Sequence, residues 1–348
     1  MVVRRTLAWS AGLLGLLFVT MLASARVGYA DIGMWEVTAA TLNGITIPVL
    51  WTNGIEWVSP FSFNIDESTE LIIQSIRLPR IVLGAIVGFA LAAAGTVMQG
   101  FFRNPMADPS IIGISTGAAL GAVTYIVLPL SVPGGLPLAA FAGGLGAGFL
   151  VYAIATEDGQ TPVATLLLAG IAIQTLLGAM ISYLLLHAGD SLEEAVYWLM
   201  GHLHHSSWGR VQIALPIALV MFVWLLVYTR DLNALLLGEE EAHGLGIDVQ
   251  RTKQKLLAGS SVITAAAVAV SGVIGFVGLI VPHIMRLIVG PDHRILLPVS
   301  ALAGAVFLVA TDTIARAGPS EMPVGIVTAA LGAPFFLYLL RRQEVYSL

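Results

Sequence analysis

Ten stretches of this sequence are apolar over the roughly 20 residues needed to cross the hydrocarbon core of a bilayer. They lie near 7–28, 78–102, 110–129, 135–155, 162–186, 211–229, 256–273, 276–290, 295–315 and 322–340. The run 256–282 is too long for one untilted helix, and Gly272, Gly275 and Gly278 interrupt it, so it is divided into a seventh and a short eighth span. Composition agrees with a membrane chain. Charged residues are 11% of the total, against about 25% in soluble chains. With 57% hydrophobic residues and a mean hydropathy of +0.89, there is too little polar material to coat a soluble surface. Soluble enzyme, nucleic-acid binder and disordered protein are excluded as classes. A net charge of −5 argues against a polyanionic partner, so no nucleic acid is expected. Cysteine is absent, which removes disulfides, thiol nucleophiles and thiolate metal sites.

Lys and Arg are retained on the cytoplasmic side of a membrane. With ten crossings and the N-terminus inside, Arg4, Arg5, Arg103, Arg230, Arg251, Lys253, Lys255, Arg286, Arg294, Arg341 and Arg342 lie inside. Arg26, Arg77, Arg80, Arg210 and Arg316 lie outside. The count of 11 against 5 puts both termini in the cytoplasm and predicts that residue 1 is retained. The rival is a cleaved signal peptide ending near Gly28-Tyr29-Ala30, which leaves nine spans and an outer N-terminus. Residues 29–76 form an acidic outer loop without Lys or Arg, and 68–75 read as a short surface helix. No linker divides the chain, so 1–348 reads as one membrane domain.

Two halves of the chain resemble each other. Gly95 to Pro105 matches Gly272 to Pro282 in spacing, 117–123 echoes 300–306, and Gly170 to Gly178 resembles Gly325 to Gly332. The order pairs helices 2–5 with helices 7–10, which run in opposite senses: an inverted internal repeat, a feature of transporters. The fold class is therefore all-α, with about ten transmembrane helices.

Gly113-xxx-Gly117-xxx-Gly121 places three glycines on one helix face, a packing device that Gly84/Gly88 and Gly144/Gly148 repeat. Arg77-Leu-Pro-Arg80 opens helix 2 at the outer surface, where two cations oppose the helix dipole. With Arg316 at the outer end of helix 9, they read either as a site for an acidic partner or as interface anchors. Asp312, the one carboxylate within a span, needs water or a partner. Gln99 and Gln174 are polar at membrane depth, and bonds between helices are the first reading for each. His202-x-His204-His205 lies in an outer loop with Tyr197, Trp198 and Trp208, which read as an interface belt. No carboxylate stands at ligand spacing in the same turn, so no metal is expected there. The inner segment 230–255 reads as two short helices joined at Gly238 and ended at Gly244 or Gly246. Its leucines face the cytoplasm and suggest a docking surface. No Walker A motif, nucleophile–base pair or zinc motif is present.

Several motifs occur together in order. Arg77-Leu-Pro-Arg80 is followed by Gln99-Gly-Phe-Phe-Arg-Asn-Pro-Met-Ala-Asp-Pro109, Gly113-Ile-Ser-Thr-Gly-Ala118 and Tyr197-Trp-Leu-Met-Gly201. Then come Leu237-Gly238-Glu239-Glu240-Glu241-Ala242-His243-Gly244-Leu245-Gly246, Gly275-Phe-Val-Gly-Leu-Ile-Val-Pro-His-Ile-Met-Arg286, and Pro323-Val-Gly-Ile-Val to Gly332-Ala-Pro334. Over about 70–342 the chain resembles the permease subunits of ABC importers for iron-siderophores, haem and cobalamin, the FecCD/BtuC-like family.

That resemblance implies a non-enzymatic translocation subunit in the cell membrane, working by alternating access as a homodimer with its pathway on the two-fold axis. It implies two ATP-binding subunits, which carry the ATP and Mg, docked on coupling helices at about 232–247. It implies one extracytoplasmic binding protein docked on Arg77, Arg80 and Arg316, and a metal chelate as substrate. No cofactor is expected on this chain. The family's inner gate matches Asn104, Met106, Thr161, Pro162 and Val163, with Gln174 placed on the pathway. Met106 departs from the more usual leucine, a volume-conserving change. The outer gate matches the segment near 191–199. The rival class is a secondary transporter or channel of similar span count, which needs charged relay residues in mid-membrane.

Overall fold

The computed structural model describes residues 2–341 other than Tyr29, Asp31, Thr52, Asn53, Pro129, 131–133 and Pro319. Arg342, placed on the inner side by charge, and Tyr29 and Asp31 of the first loop lie outside the described residues. All ten apolar runs are helices: span 1 Val2–Arg26, span 2 Glu67–Phe101, span 3 Ile114–Val127, span 4 Gly135–Ala155, span 5 Val163–Leu186, span 6 Trp208–Val227, span 7 Val249–Ser271, span 8 Val277–Val289, span 9 His293–Arg316 and span 10 Val324–Arg341. Seven are long and apolar enough to cross a membrane; spans 3, 8 and 10 are the shorter ones. The start of span 1 meets the end of span 8, Arg5 donating to the Val289 carbonyl, and its end meets Arg77 of span 2 and Arg316 of span 9, so these spans run alternately between two faces. The second face carries a hairpin of β1, Ile47–Trp51, and β2, Gly54–Val58, paired antiparallel with Ile47 opposite Val58. Below, these are the inner-loop face and the hairpin face.

Span 2 corrects one expectation. Residues 68–75 are not a separate surface helix. Asp66 caps a helix at Glu67 by accepting from the Thr69 N–H at 3.2 Å, and the helix runs on through a π-helical turn, Ile72–Arg77, into Leu78–Phe101. Arg77 and Arg80 therefore lie well inside a helix. The dipole at its N-terminus does not bear on them, since that effect fades within the first turn.

Span 2 is also the centre of the bundle. Its apolar face packs on spans 9, 7, 8 and 6. Two glycines make this possible. A Cβ at Gly88 would lie 2.2 Å from the Gly304 carbonyl oxygen, and one at Gly95 would lie 1.9 Å from that of Gly278. Small residues allow such backbone approach, and dispersion then holds helices together without a hydrophobic driving force. Gly117 and Gly121 do the same for span 3 against Gly143 and Ala139 of span 4.

The contacts are reciprocal, as an inverted repeat requires. Span 2 lies on span 9 and span 7 on span 4; span 2 meets span 8 and span 7 meets span 3. Spans 3 and 4 pack as 8 and 9 do, and spans 4 and 5 as 9 and 10 do. One sequence echo, 117–123 with 300–306, joins spans 3 and 9, which this pairing does not equate; what it shares is a small-residue face. Spans 3 and 8 correspond, and both follow a stretch that is not α-helical: the 3-10 turn Pro109–Ile112, and residues 272–276. Gly272 and Phe276 there have φ of +69° each, which ends span 7 and restarts the chain as span 8.

Candidate functional site

On the inner-loop face, helix Thr229–Leu235 turns at Gly238 into helix Glu239–Gly244. Gly238 has φ +139°, a value that glycine adopts readily. Leu232, Leu235 and Ala242 are buried beneath the pair, whereas Leu237 and Leu245 are 67% and 66% exposed. Around them Glu239, Glu240, Glu241, His243, Gly244 and Gly246 are exposed, so the segment presents two leucines in a polar rim. Two clasps tie this platform to the spans. Lys253 of span 7 pairs with Glu239 at 2.5 Å. The Asn233 side-chain amide donates to the Asp292 carboxylate at 2.8 Å, and its carbonyl accepts from the His293 N–H at 2.9 Å. Asp292 caps span 9. Hydrogen bonds from Arg294, then Asn233, hold its carboxyl down at about 2, against the opposing effect of burial.

A cavity of about 940 Å³ adjoins the platform, bringing Thr161, Pro162 and Val163 together with Glu239, His243 and Gly246. Thr161 is buried, its hydroxyl 2.9 Å from that of Thr156 and accepting from Gln250 at 3.0 Å. Asn104 and Met106 do not line this cavity, though their neighbour Arg103 does. Asn104 is exposed, and its side-chain oxygen accepts from the Met106 N–H at 2.9 Å, shaping the turn between spans 2 and 3. Gln174 donates to the Ile111 carbonyl at 2.7 Å and Gln99 to that of Leu279 at 2.8 Å, so both tie segments together.

The hairpin face carries the three arginines that read as either a partner site or interface anchors. All three are buried. Arg77 donates to the carbonyls of Ala25 and Ala30 at 2.7 and 2.5 Å, receiving the C-terminal end of span 1, where a cation is favourable. Arg80 grips Asp312 and also reaches Glu321 at 2.7 Å. Arg316 donates to the same Asp312 at 3.0 Å, to the Val27 carbonyl at 2.9 Å and to the Ser24 hydroxyl at 2.6 Å. Asp312 has found the partner its depth demands. Ser24, Glu321 and Asn233 were not singled out by sequence reading. Each is an ordinary residue whose partner lies more than 50 positions away, so no local pattern marks it.

Beside this cluster, helix Leu192–Leu199 packs where span 7 breaks. A Cβ at Gly272 would lie 2.3 Å from the Trp198 carbonyl oxygen, and the His202 N–H donates to the Ser271 carbonyl at 2.7 Å. His202, His204 and His205 follow. Their ligand atoms all lie within 4.8 Å of one another. Burial first, then the neighbouring imidazoles, hold His202 down at about 3 and His204 at about 4.

The sequence profile of the FecCD transport family matches residues 16–342. The chain is 54% identical to the cobalamin import system permease protein BtuC of Halobacterium salinarum, over 99% of this chain and 98% of that one. It is 47% identical to the hemin transport system permease protein HmuU of Yersinia pestis, over 78% and 83% of the two chains. Among solved structures it resembles a metal-chelate type ABC transporter in an inward-facing conformation, with a TM-score of 0.81 and 32% identity over 96% and 98% of the chains.

Proposed function

This chain belongs to the FecCD transport family and is a multi-pass membrane permease of the ABC-importer type, and on that premise we propose how it works. It acts as a homodimer, with two ATP-binding subunits seated on the inner-loop face and one extracytoplasmic binding protein on the hairpin face. Both termini are cytoplasmic, and the whole chain serves as one membrane domain. ATP hydrolysis takes place on the partner subunits, and the cargo crosses without chemical change.

The observation that carries this reading is the platform at 229–247. Its exposed Leu237 and Leu245 offer an apolar docking point. The same segment is clasped to spans 7 and 9 through Lys253 and Asp292. It borders the cavity lined by Thr161, Pro162 and Val163. A partner that moves the platform therefore moves two spans and the inner gate together. Asn104 and Met106, next to Arg103 of that cavity, fit the rim of the gate, and Gln174 holds span 5 to the turn before span 3. A secondary transporter needs a titratable relay at membrane depth, whereas Asp312 is already held by Arg80 and Arg316.

The cargo is a metal chelate: a ferric siderophore, haem or cobalamin. Similarity to a cobalamin permease along the full chain makes a corrinoid the first to test and haem the second. The test is reconstitution in proteoliposomes with the ATP-binding subunit and the binding protein. ATP-dependent uptake of the chelate that co-purifies with the binding protein is the expected result. Uptake driven by an ion gradient without ATP would overturn the reading.

A further inference from the structure

The hairpin-face loop between spans 5 and 6 holds a feature that transport does not require. His202, His204 and His205 turn their rings toward one another, with His204 and His205 centroids 3.7 Å apart and His202 and His204 centroids 4.5 Å apart. His202 is 6% exposed. The Nδ1 atoms of His202 and His204 are buried and have no hydrogen-bond partner among the described residues. Buried polar atoms in folded proteins are normally paired, so two unpaired nitrogens in one cluster of imidazoles call for a ligand.

The surroundings supply what the local sequence lacks. A cavity of about 460 Å³ is lined by the three histidines and also by Asp190, Glu193 and Glu194, from the turn and helix that precede the loop. Arg210, on the same wall, is turned to the Val270 carbonyl at 3.4 Å. We propose that His202, His204 and His205 bind a divalent first-row transition-metal ion of the Zn²⁺, Ni²⁺ or Cu²⁺ class, with a cavity carboxylate or water completing the shell. Three imidazoles with no thiolate select these ions over Mg²⁺ and Ca²⁺, which take oxygen ligands. Zn–N bonds of about 2.0–2.1 Å set ligand atoms about 3.4 Å apart around a tetrahedral ion. The ligand atoms here lie within 4.8 Å of one another, so small rotations of the rings close the site. The His202 backbone is bonded to Ser271 and that of Gly201 to Gly325, so a bound ion would brace the junction of spans 7 and 10 with helix Leu192–Leu199. The site names no cargo and does not rest on the importer reading.

The test uses the untagged, full-length protein in detergent, stripped by chelator and titrated with Zn²⁺ alone, with Co²⁺ as a spectroscopic probe. One Zn²⁺ per chain is expected, with Co²⁺ absorption bands of nitrogen–oxygen tetrahedral ligation. The double variant His202→Ala, His204→Ala should weaken binding by more than about 100-fold, beyond the 10–100-fold that loss of an outer-shell partner costs. His205 is exposed, so His205→Ala folds without a cavity penalty and should weaken binding by at least about tenfold, on the same scale. Unchanged affinity in His205→Ala, or no stoichiometric binding to the wild type, overturns the proposal. So does an ion lost in Glu193→Gln, Glu194→Gln but retained when the histidines are removed.

Discussion

Arg80 of span 2 and Asp312 of span 9 form a two-pronged ion pair. Nε and Nη2 of the guanidinium meet the carboxylate at 3.0–3.2 Å, with 9% and 2% of the two side chains exposed. Arg316, one helical turn beyond Asp312, takes the second oxygen. The carboxylate thus holds two buried cations, and Ser24 joins span 1 to the cluster through Arg316. The arrangement pins three spans at the hairpin face.

Removing the anion should be costly. Asp312→Asn removes the anion that Arg80 and Arg316 share, leaving Arg316 without a carboxylate and Arg80 with only the half-exposed Glu321, and loss of about 3–5 kcal/mol of stability is expected. Replacing Arg80, Asp312 and Arg316 together by apolar residues of similar volume should cost far less, because no charge is then stranded. Thermal midpoints in detergent compare the two; equal losses would show that the charges are not the reason.

The outer ion pair bears on partner docking. Glu321 is half exposed and occupies Nη1 of Arg80. A carboxylate on a binding protein that approaches Nη1 of Arg80 competes with Glu321 for it. Glu321→Gln should therefore raise the association rate of the binding protein, most at low salt, where charge steers the encounter. An unchanged rate would leave Arg77, Arg80 and Arg316 as internal braces alone.

The inner platform makes an opposite kind of prediction. Leu245→Asp places a charge at an exposed apolar anchor. The folded permease should remain, while affinity for the ATP-binding subunit falls by the 2 kcal/mol or more typical of a hot spot, roughly 30-fold. Wild-type co-purification and uptake in this variant would place the interface elsewhere.

Backbone contact between spans 2 and 8 is equally open to test. Gly95→Ala puts a methyl group 1.9 Å from the Gly278 carbonyl oxygen, and backbone cannot step aside as a side chain can. A loss at the upper end of the roughly 1–3 kcal/mol for overpacking is expected, read as a lowered thermal midpoint. Gly146→Ala, with open space around its Cβ, is the control that should change little.

The Asp292 clasp should respond to acid. Its carboxyl is held at about 2 in the folded protein, below the ordinary carboxylate value of about 3.9. A depressed value means the charged form is favoured on folding. The contribution is complete above about 4 and is lost as pH falls through about 2. The wild type should lose more of its thermal midpoint between pH 5 and pH 2.5 than Asp292→Asn; parallel curves would remove Asp292 as the cause.

Reading the chain alone located all ten spans, the alternation of their directions, the break at Gly272 and the two short helices around Gly238. Each of these rests on local chemistry. A run of about 20 apolar residues is long enough to cross the hydrocarbon core of a bilayer, and glycine ends a helix where the backbone needs a positive φ. The same reading placed Arg77, Arg80 and Arg316 on one side of the membrane but did not show what holds them. It found the three histidines with no carboxylate at ligand spacing, and among the described residues the cluster placed to hold an ion consists of those three alone. What it lacked was distance across the bundle. Asp312 reaches Arg80 over 232 positions of chain, and Ser24 reaches Arg316 over 292. Those meetings are decided by how closely glycine faces let helices approach, and how closely they do so depends on pairs of residues that belong to different helices.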